Sequence, residues 1–152
     1  MDNKNKIMAH DFKRFPELTN NQMGLYYFDS PHEQIVEDFD AKVMKVTDGD
    51  TIKLKTGFRN FEFPLRISNL LAPELNETGG VRSRNRLKQI IEGKQIEVII
   101  NKNNRVGKWG RLLGEVRHNG FDIGTQMIEE GFAISLDEEQ PRIKDLIIMD
   151  II

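Results

Sequence analysis

Residues 43 to 55 read VMKVTDGDTIKLK, two alternating runs on either side of an Asp-Gly. A period of two sends successive side chains to opposite faces of a strand. Val43, Lys45 and Thr47 therefore share one face, Met44 and Val46 the other, and the alternation resumes from Thr51 to Lys55. Two such runs flanking Asp-Gly predict a β-hairpin. Thr56-Gly57 turns the chain again, and Phe61, Phe63, Leu65 and Ile67, alternating with Glu62, Arg66 and Ser68, give a third strand. The result is a three-stranded meander.

Further along, the period lengthens. Gly79-Gly80 precedes a helix from about Arg82 to Glu92, with Leu87, Ile90 and Ile91 inward and Gly93 as its stop. Gln95 to Ile100 reads as a fourth strand and Leu112 to Val116 as a fifth, joined by the basic loop Asn101 to Arg111. Ile123 to Glu130 is a second helix, closed by Gly131. Three strands, a helix, two strands and a helix follow the order of a small closed barrel of the oligonucleotide/oligosaccharide-binding (OB) type. The expected class is an all-β barrel with helices (α+β), with five strands and an OB-like fold.

Upstream, residues 1–40 read as an N-terminal extension and residues 41–152 as the barrel domain. The aromatic trio Tyr26-Tyr27-Phe28 is expected to pack on that domain. Ser30-Pro31-His32-Glu33 carries a cap serine, a first-turn proline and a glutamate three after the cap, which predicts a short helix with Ile35, Val36 and Phe39 inward.

A chain of 152 residues, 38% hydrophobic and 30% charged, suits one domain with one core. Cysteine is absent, which excludes disulfides, thiolate metal sites and a cysteine nucleophile. The start, MDNKNKIMAHDFKRF, lacks the apolar core of a signal peptide, and no run approaches the roughly 18 apolar residues that cross a membrane. A soluble, cytoplasmic protein without a membrane partner is expected.

The net charge of -2 conceals an asymmetry. Between Gly79 and Arg111 stand Arg82, Arg84, Arg86, Lys88, Lys94, Lys102, Arg105, Lys108 and Arg111 against Glu92 and Glu97; from Glu129 onward acids dominate. A polyanion would meet the middle of the chain. On charge alone, a solvated helix face is an equal reading. His10, His32 and His118 show no metal-binding spacing.

Three short motifs carry chemistry. In Thr47-Asp48-Gly49-Asp50-Thr51 the turn accounts for Asp-Gly but not for Asp50, since aspartate is disfavoured in strands. Two carboxylates two residues apart suit a hard cation, Asp50 as direct ligand and Asp48 behind it. Arg66, with Pro73-Glu74 after the third strand, reads equally as a solvated strand arginine and a turn. Lys108-Trp109-Gly110-Arg111 offers two cations and an aromatic face to phosphate and base, or a turn whose tryptophan packs on the rim.

In this order, DGDT, R-x6-P-E and K-W-G-R resemble the thermonuclease (staphylococcal nuclease) family, from about Ala41 to Ser135, and Gly131-Phe132-Ala133 is similar to the family's second-helix ending. The resemblance implies a Ca²⁺-dependent endonuclease that hydrolyses phosphodiester bonds of DNA and RNA. It implies that Asp50 binds Ca²⁺ with Asp48 in support and the Ala72 backbone carbonyl as a further ligand. Arg66 and Arg111 would grip the scissile phosphate, Glu74 would direct the attacking water, and Lys108 and Trp109 would contact the nucleotide. Cleavage would fall on the 5′ side and leave 3′-phosphates, with single-stranded DNA or RNA preferred.

Leu71 departs from the pattern, because the family places a second metal-binding aspartate there and an alkyl side chain coordinates nothing. Weakened metal binding and low activity are expected. Asp137 stands where the family has a tyrosine. The alternative is a non-catalytic nucleic-acid-binding module. The apolar end, Pro141 to Ile152, reads as a helix in need of cover, by the barrel or by a second subunit in a homo-oligomer.

Overall fold

The Val43–Lys55 hairpin forms, with a tight turn between its strands. The computed structural model describes residues 10–107 and 110–136. Strand β1 spans Phe39–Asp48 and β2 Thr51–Thr56, with Val43 opposite Leu54 and Asp48 opposite Thr51. The simple alternation breaks twice, because the register shifts between Val43 and Lys45 and again between Val46 and Asp48. Ala41, Val43 and Val46 consequently share the buried face. Bulges of this kind increase local twist, which helps a short sheet to curl.

Strand β3 (Arg59–Ile67) completes the meander on β2, and a two-residue β4 (Leu70–Leu71) follows. Strand β5 (Gln95–Ile99) pairs with β1, and β6 (Leu112–His118) with β5. The order β3-β2-β1-β5-β6 closes on itself because β3 also pairs with β6 in parallel, Leu65 opposite Leu112 and Arg66 opposite Leu113. The five-stranded OB-like barrel expected from the element order is thus present. A short β7 (Phe121–Asp122) extends β6 beyond the Asn119-Gly120 turn.

Inside lie Val43, Val46, Ile52, Leu54, Phe63, Leu65, Ile67, Val98, Leu112 and Val116, which alternate inward from all five strands. Burial of this apolar area, at roughly 25 cal/mol per Å², supplies most of the folding drive. Over the core lies a helix, Gly80–Ile91, whose buried Gly80, Ser83, Leu87 and Ile91 form one stripe. It ends where Gly93 takes φ +80°. The last helix, Ile123–Glu129, is capped by Asp122, whose Oδ1 accepts from Gly124 N at 3.2 Å. Here the helical period and stop signals predicted both elements to within two residues.

The extension differs from expectation. Its helix is Asn20–Tyr26, opened by a capping box in which Gln22 N donates to Thr19 Oγ1 at 3.2 Å and Thr19 N to Gln22 Oε1 at 3.0 Å. Among the described residues the α-helices in chain order are thus α1 (Asn20–Tyr26), α2 (Gly80–Ile91) and α3 (Ile123–Glu129). A 3₁₀ turn, Tyr27–Asp29, follows α1, and residues 31–38 form no helix. The segment is tied to the chain before α1 instead: the Ile35 backbone N, a donor a helix would need, goes to Glu17 Oε1 at 2.8 Å, and the Gln34 side chain donates through Nε2 to Pro16 O at 2.8 Å. Of the aromatic trio, Phe28 is 97% exposed and meets only Tyr27 edge-on, so it does not pack on the barrel.

A small second sheet was not expected: β4 pairs with β8 (Ile134–Ser135), Leu71 opposite Ile134. Among the described residues no helix is long and apolar enough to cross a membrane. The run Pro141 to Ile152, and with it the oligomer expectation, lies outside the described residues.

Candidate active site

The β1–β2 turn is tight because Gly49 faces the helix. A Cβ there would lie 2.0 Å from Ser83 Oγ and 2.7 Å from Ala72 Cβ, so the turn seats directly on α2 and the chain after β4. Ser83 Oγ in turn donates to Phe132 O at 2.9 Å. This close approach places the following residue, Asp50, at the end of β3, where Ile67 N donates to Asp50 O at 2.8 Å.

The stretch Arg66 to Glu74 then folds back over Asp50. Asn69 adopts φ 62°, the left-handed region that asparagine tolerates, and reverses the chain from β3 into β4. Two residues beyond β4's first leucine, Ala72 N donates to Asp50 Oδ2 at 3.0 Å. Arg66 Nη2 reaches the same oxygen at 3.4 Å, while Thr51 Oγ1 donates to Oδ1 at 3.1 Å. Asp48 Oδ1 accepts from Asp50 N at 3.1 Å. Two acids, one arginine and one backbone amide are thus gathered by three separate segments.

Asp50 is electrostatically strained by its position. Burial, helped by a hydrogen bond with Asp48, lifts its carboxyl to about 6, against the lowering pull of the Ala72 amide and Arg66. At neutral pH the group is an anion in an environment that only partly compensates it, which is the state that gains from a cation.

Arg111 precedes β6 by one residue. Since Arg66 lies opposite Leu113 in the parallel β3–β6 ladder, the register puts Arg66, Leu113 and Arg111 on one half-exposed face, while Leu65, Leu112 and Ile67 face the core. Glu74 is exposed two residues after Ala72; its backbone N lies beyond the β4–β8 pairing and donates to Glu77 Oε1 at 2.8 Å. An open groove runs past Leu71, Ala72, Glu74, Phe132 and Ile134. Lys108, Trp109 and Asp137 lie outside the described residues.

The donors suit a hard divalent cation in kind, since they are carboxylate and backbone oxygens. In number they are few. Among the described residues no group of three or more His, Cys, Asp or Glu side chains converges as a metal site, and Leu71 brings its half-buried alkyl chain to the groove instead.

The basic stretch is smaller in space than in sequence. Arg105 is buried, Arg86 is held by Glu130 at 2.6 Å, Lys88 lies 3.8 Å from Glu92, and Arg82 covers the Phe132 ring. Charge counting could not separate these engaged residues from a phosphate-binding face. Gly49 and Ser83 were also missed as site-builders; only the lack of any side chain at Gly49 hinted at them.

An OB-like barrel thus carries an acidic turn, a strand arginine and a second arginine on a shared β face. The chain matches the family described as staphylococcal nuclease homologue over residues 64–148, more than half its length, and it belongs to that family. Arg66, Glu74 and Arg111 fall within the matched residues, whereas Asp48 and Asp50 precede them. The chain is 30% identical over 97 residues to an uncharacterized endonuclease of Escherichia coli O157:H7, which covers 63% of this chain and 60% of that protein. It is 29% identical over 105 residues to a micrococcal nuclease of Shigella flexneri, covering 63% of this chain and 58% of that protein. The chain thus spans about 60% of the length of the curated relatives it matches.

Proposed function

We propose that this chain is a Ca²⁺-dependent endonuclease that hydrolyses phosphodiester bonds of single-stranded DNA and RNA. The observation that carries the reading is Asp50 Oδ2, which receives both Arg66 Nη2 and Ala72 N on the face that also holds Arg111.

Asp50 would hold the ion, with Asp48 behind it and the Ala72 carbonyl as a further ligand, and the bound ion would supply positive charge to the phosphate. Arg66 and Arg111 fork onto the phosphate oxygens and balance the charge that builds there as phosphorus is attacked. Glu74, exposed at the groove, orients a water in line and takes its proton. The P–O5′ bond breaks, the leaving oxygen is reprotonated, and the product keeps a 3′-phosphate. Lys108 and Trp109 would contact the nucleotide.

Leu71 favours a second reading, a nucleic-acid-binding module without turnover, since it adds an apolar wall where a further carboxylate would strengthen cation binding. A Ca²⁺ titration of single-stranded DNA cleavage, with EDTA and Glu74→Gln as controls, decides between them. Cleavage at raised Ca²⁺ that vanishes in Glu74→Gln supports the enzyme. Binding without cleavage at any Ca²⁺ level supports the module. For the enzyme, Leu71→Asp is expected to lower the Ca²⁺ needed for half-maximal rate by on the order of tenfold; an unchanged requirement would mean that this position does not face the ion.

A further inference from the structure

Residues 10–38 take no part in the chemistry above, yet they grip the loop that bears Arg111. That loop is itself a small hairpin: Val106 bridges Leu112, Gly107 N donates to Arg111 O at 2.8 Å, and Leu113 N donates to Arg105 O at 2.9 Å. The backbone around Arg111 therefore goes wherever Arg105 and Gly107 are held.

The extension holds this loop at three points, Lys102, Arg105 and Gly110. Asn20 Nδ2 donates to Lys102 O at 3.0 Å. The Arg105 guanidinium donates through Nε to Ile35 O at 2.8 Å, through Nη1 to Leu18 O, and through Nη2 to Glu17 Oε1 at 2.8 Å. Glu17 also accepts from Arg59 Nη2 with its other oxygen, so it ties the loop to the start of β3, the strand that carries Arg66. At the far side of the loop, Gly110 has φ +72°, and a Cβ there would stand 2.9 Å from Phe15 Cβ and 3.3 Å from Glu17 O. The Gly110 backbone lies directly on the extension, one residue before Arg111.

We infer that residues 10–38 form a strap that fixes the Arg111 loop before substrate arrives, with Glu17 and Phe15 as positioning residues for the phosphate-binding arginine. The inference rests on the reading of Arg111 given under Proposed function. Ordering a long connection costs conformational entropy. A strap that meets this cost during folding leaves less to be met on binding. Displacing a positioned group by about 1 Å can cost on the order of 10²-fold in rate.

The test is a double-mutant cycle in the full chain, pairing Phe15→Ala, and separately Glu17→Gln, with Arg111→Ala. The readouts are affinity for a single-stranded DNA oligonucleotide, cleavage kcat and KM at saturating Ca²⁺, and amide hydrogen exchange across residues 101–113. Phe15→Ala is expected to lower kcat/KM on the order of tenfold and to speed exchange of the loop amides while β1 and β2 are unchanged. In the Arg111→Ala background the same change should cost less than about twofold in affinity or rate. An equal loss in both backgrounds, or unmoved loop exchange, would overturn the inference and leave the strap as packing alone. Phe15→Ala keeps the test decisive if Glu17→Gln does not fold. A parent chain that neither binds nor cleaves DNA would sink the nuclease reading and the strap's role with it, whereas additive losses in an active parent would sink only the strap.

Discussion

Glu17 and Asp50 both meet arginine in buried surroundings and each accepts three hydrogen bonds, yet their charges are compensated to very different degrees. Glu17 receives two guanidiniums and the Ile35 amide, and its side chain and those of Arg59 and Arg105 are at most 3% exposed. Asp50 has a single arginine at 3.4 Å, with side-chain exposures of 10% for the acid and 19% for Arg66. The Glu17 carboxylate has both oxygens engaged, and among the described residues the cluster's one unpartnered buried donor is Arg59 Nη1. The Asp50 cluster retains exposure, a long contact and a carboxyl lifted to about 6, and so has something to gain from a cation or a phosphate. A buried ion pair is not by itself a sign of chemistry; incomplete compensation is the more telling feature.

The largest effect should come from breaking the more deeply buried cluster. Glu17→Ala leaves two guanidiniums facing one another in the interior, where burial already lowers the pKa of Arg105. Loss of one partner from such a cluster costs about 3–5 kcal/mol, which chemical denaturation at pH 7 would read directly. A loss under about 1 kcal/mol would erase the distinction between the two clusters.

The middle effect has the opposite sign. Because the folded Asp50 binds its proton more tightly than the unfolded chain, its charge opposes folding at pH values above about 6, and that cost disappears as pH falls below 3.8. Asp50→Asn in metal-free buffer is therefore expected to raise Tm at pH 7.5, by less with each step down through pH 6, and not at all near pH 4. A pH-independent change would mean that Asp50 is as well satisfied as Glu17.

The smallest effect belongs to a third pair. Arg86 donates to Glu130 through Nε at 2.6 Å and through Nη2 at 3.0 Å, and this holds the Glu130 carboxyl at about 2. The contribution is present above the ordinary 4.5 and is lost as pH falls toward 2, but the pair is solvent-screened. Glu130→Gln should shift Tm at pH 7 only marginally, and the shift should shrink in high salt. A loss rivalling that of Glu17→Ala would show that exposure does not set the ranking.

Local signals carried most of the barrel. The two-residue period of β2 and β3, the helical stripe of α2 and the turn glycines report neighbours a few residues away, which is the range that pattern reading covers. The α1 capping box, Thr19 to Gln22, was equally legible but was passed over for Ser30-Pro31, whose helix the tertiary bonds of Gln34 and Ile35 prevent. Asp50, Arg66, Glu74 and Arg111 were legible as candidates because their spacing follows a known family order. The contact of Asp50 with Ala72 and Arg66 was not, since it depends on Gly49's seat against Ser83 and Ala72, residues far from it in the chain.

By itself, then, the sequence determined the strand and helix periods, the barrel order, the identity of the candidate charged residues and the presence of an alkyl side chain at position 71. Only the tertiary structure decided which charges remain available. Arg105 reads in sequence as one more basic residue of a phosphate-binding stretch, yet it is buried on Glu17, 88 residues away. Arg66, no more conspicuous in sequence, is left half-open beside Asp50. Side-chain charge belongs to the residue, but compensation depends on neighbours brought from distant parts of the chain, and no local pattern encodes them.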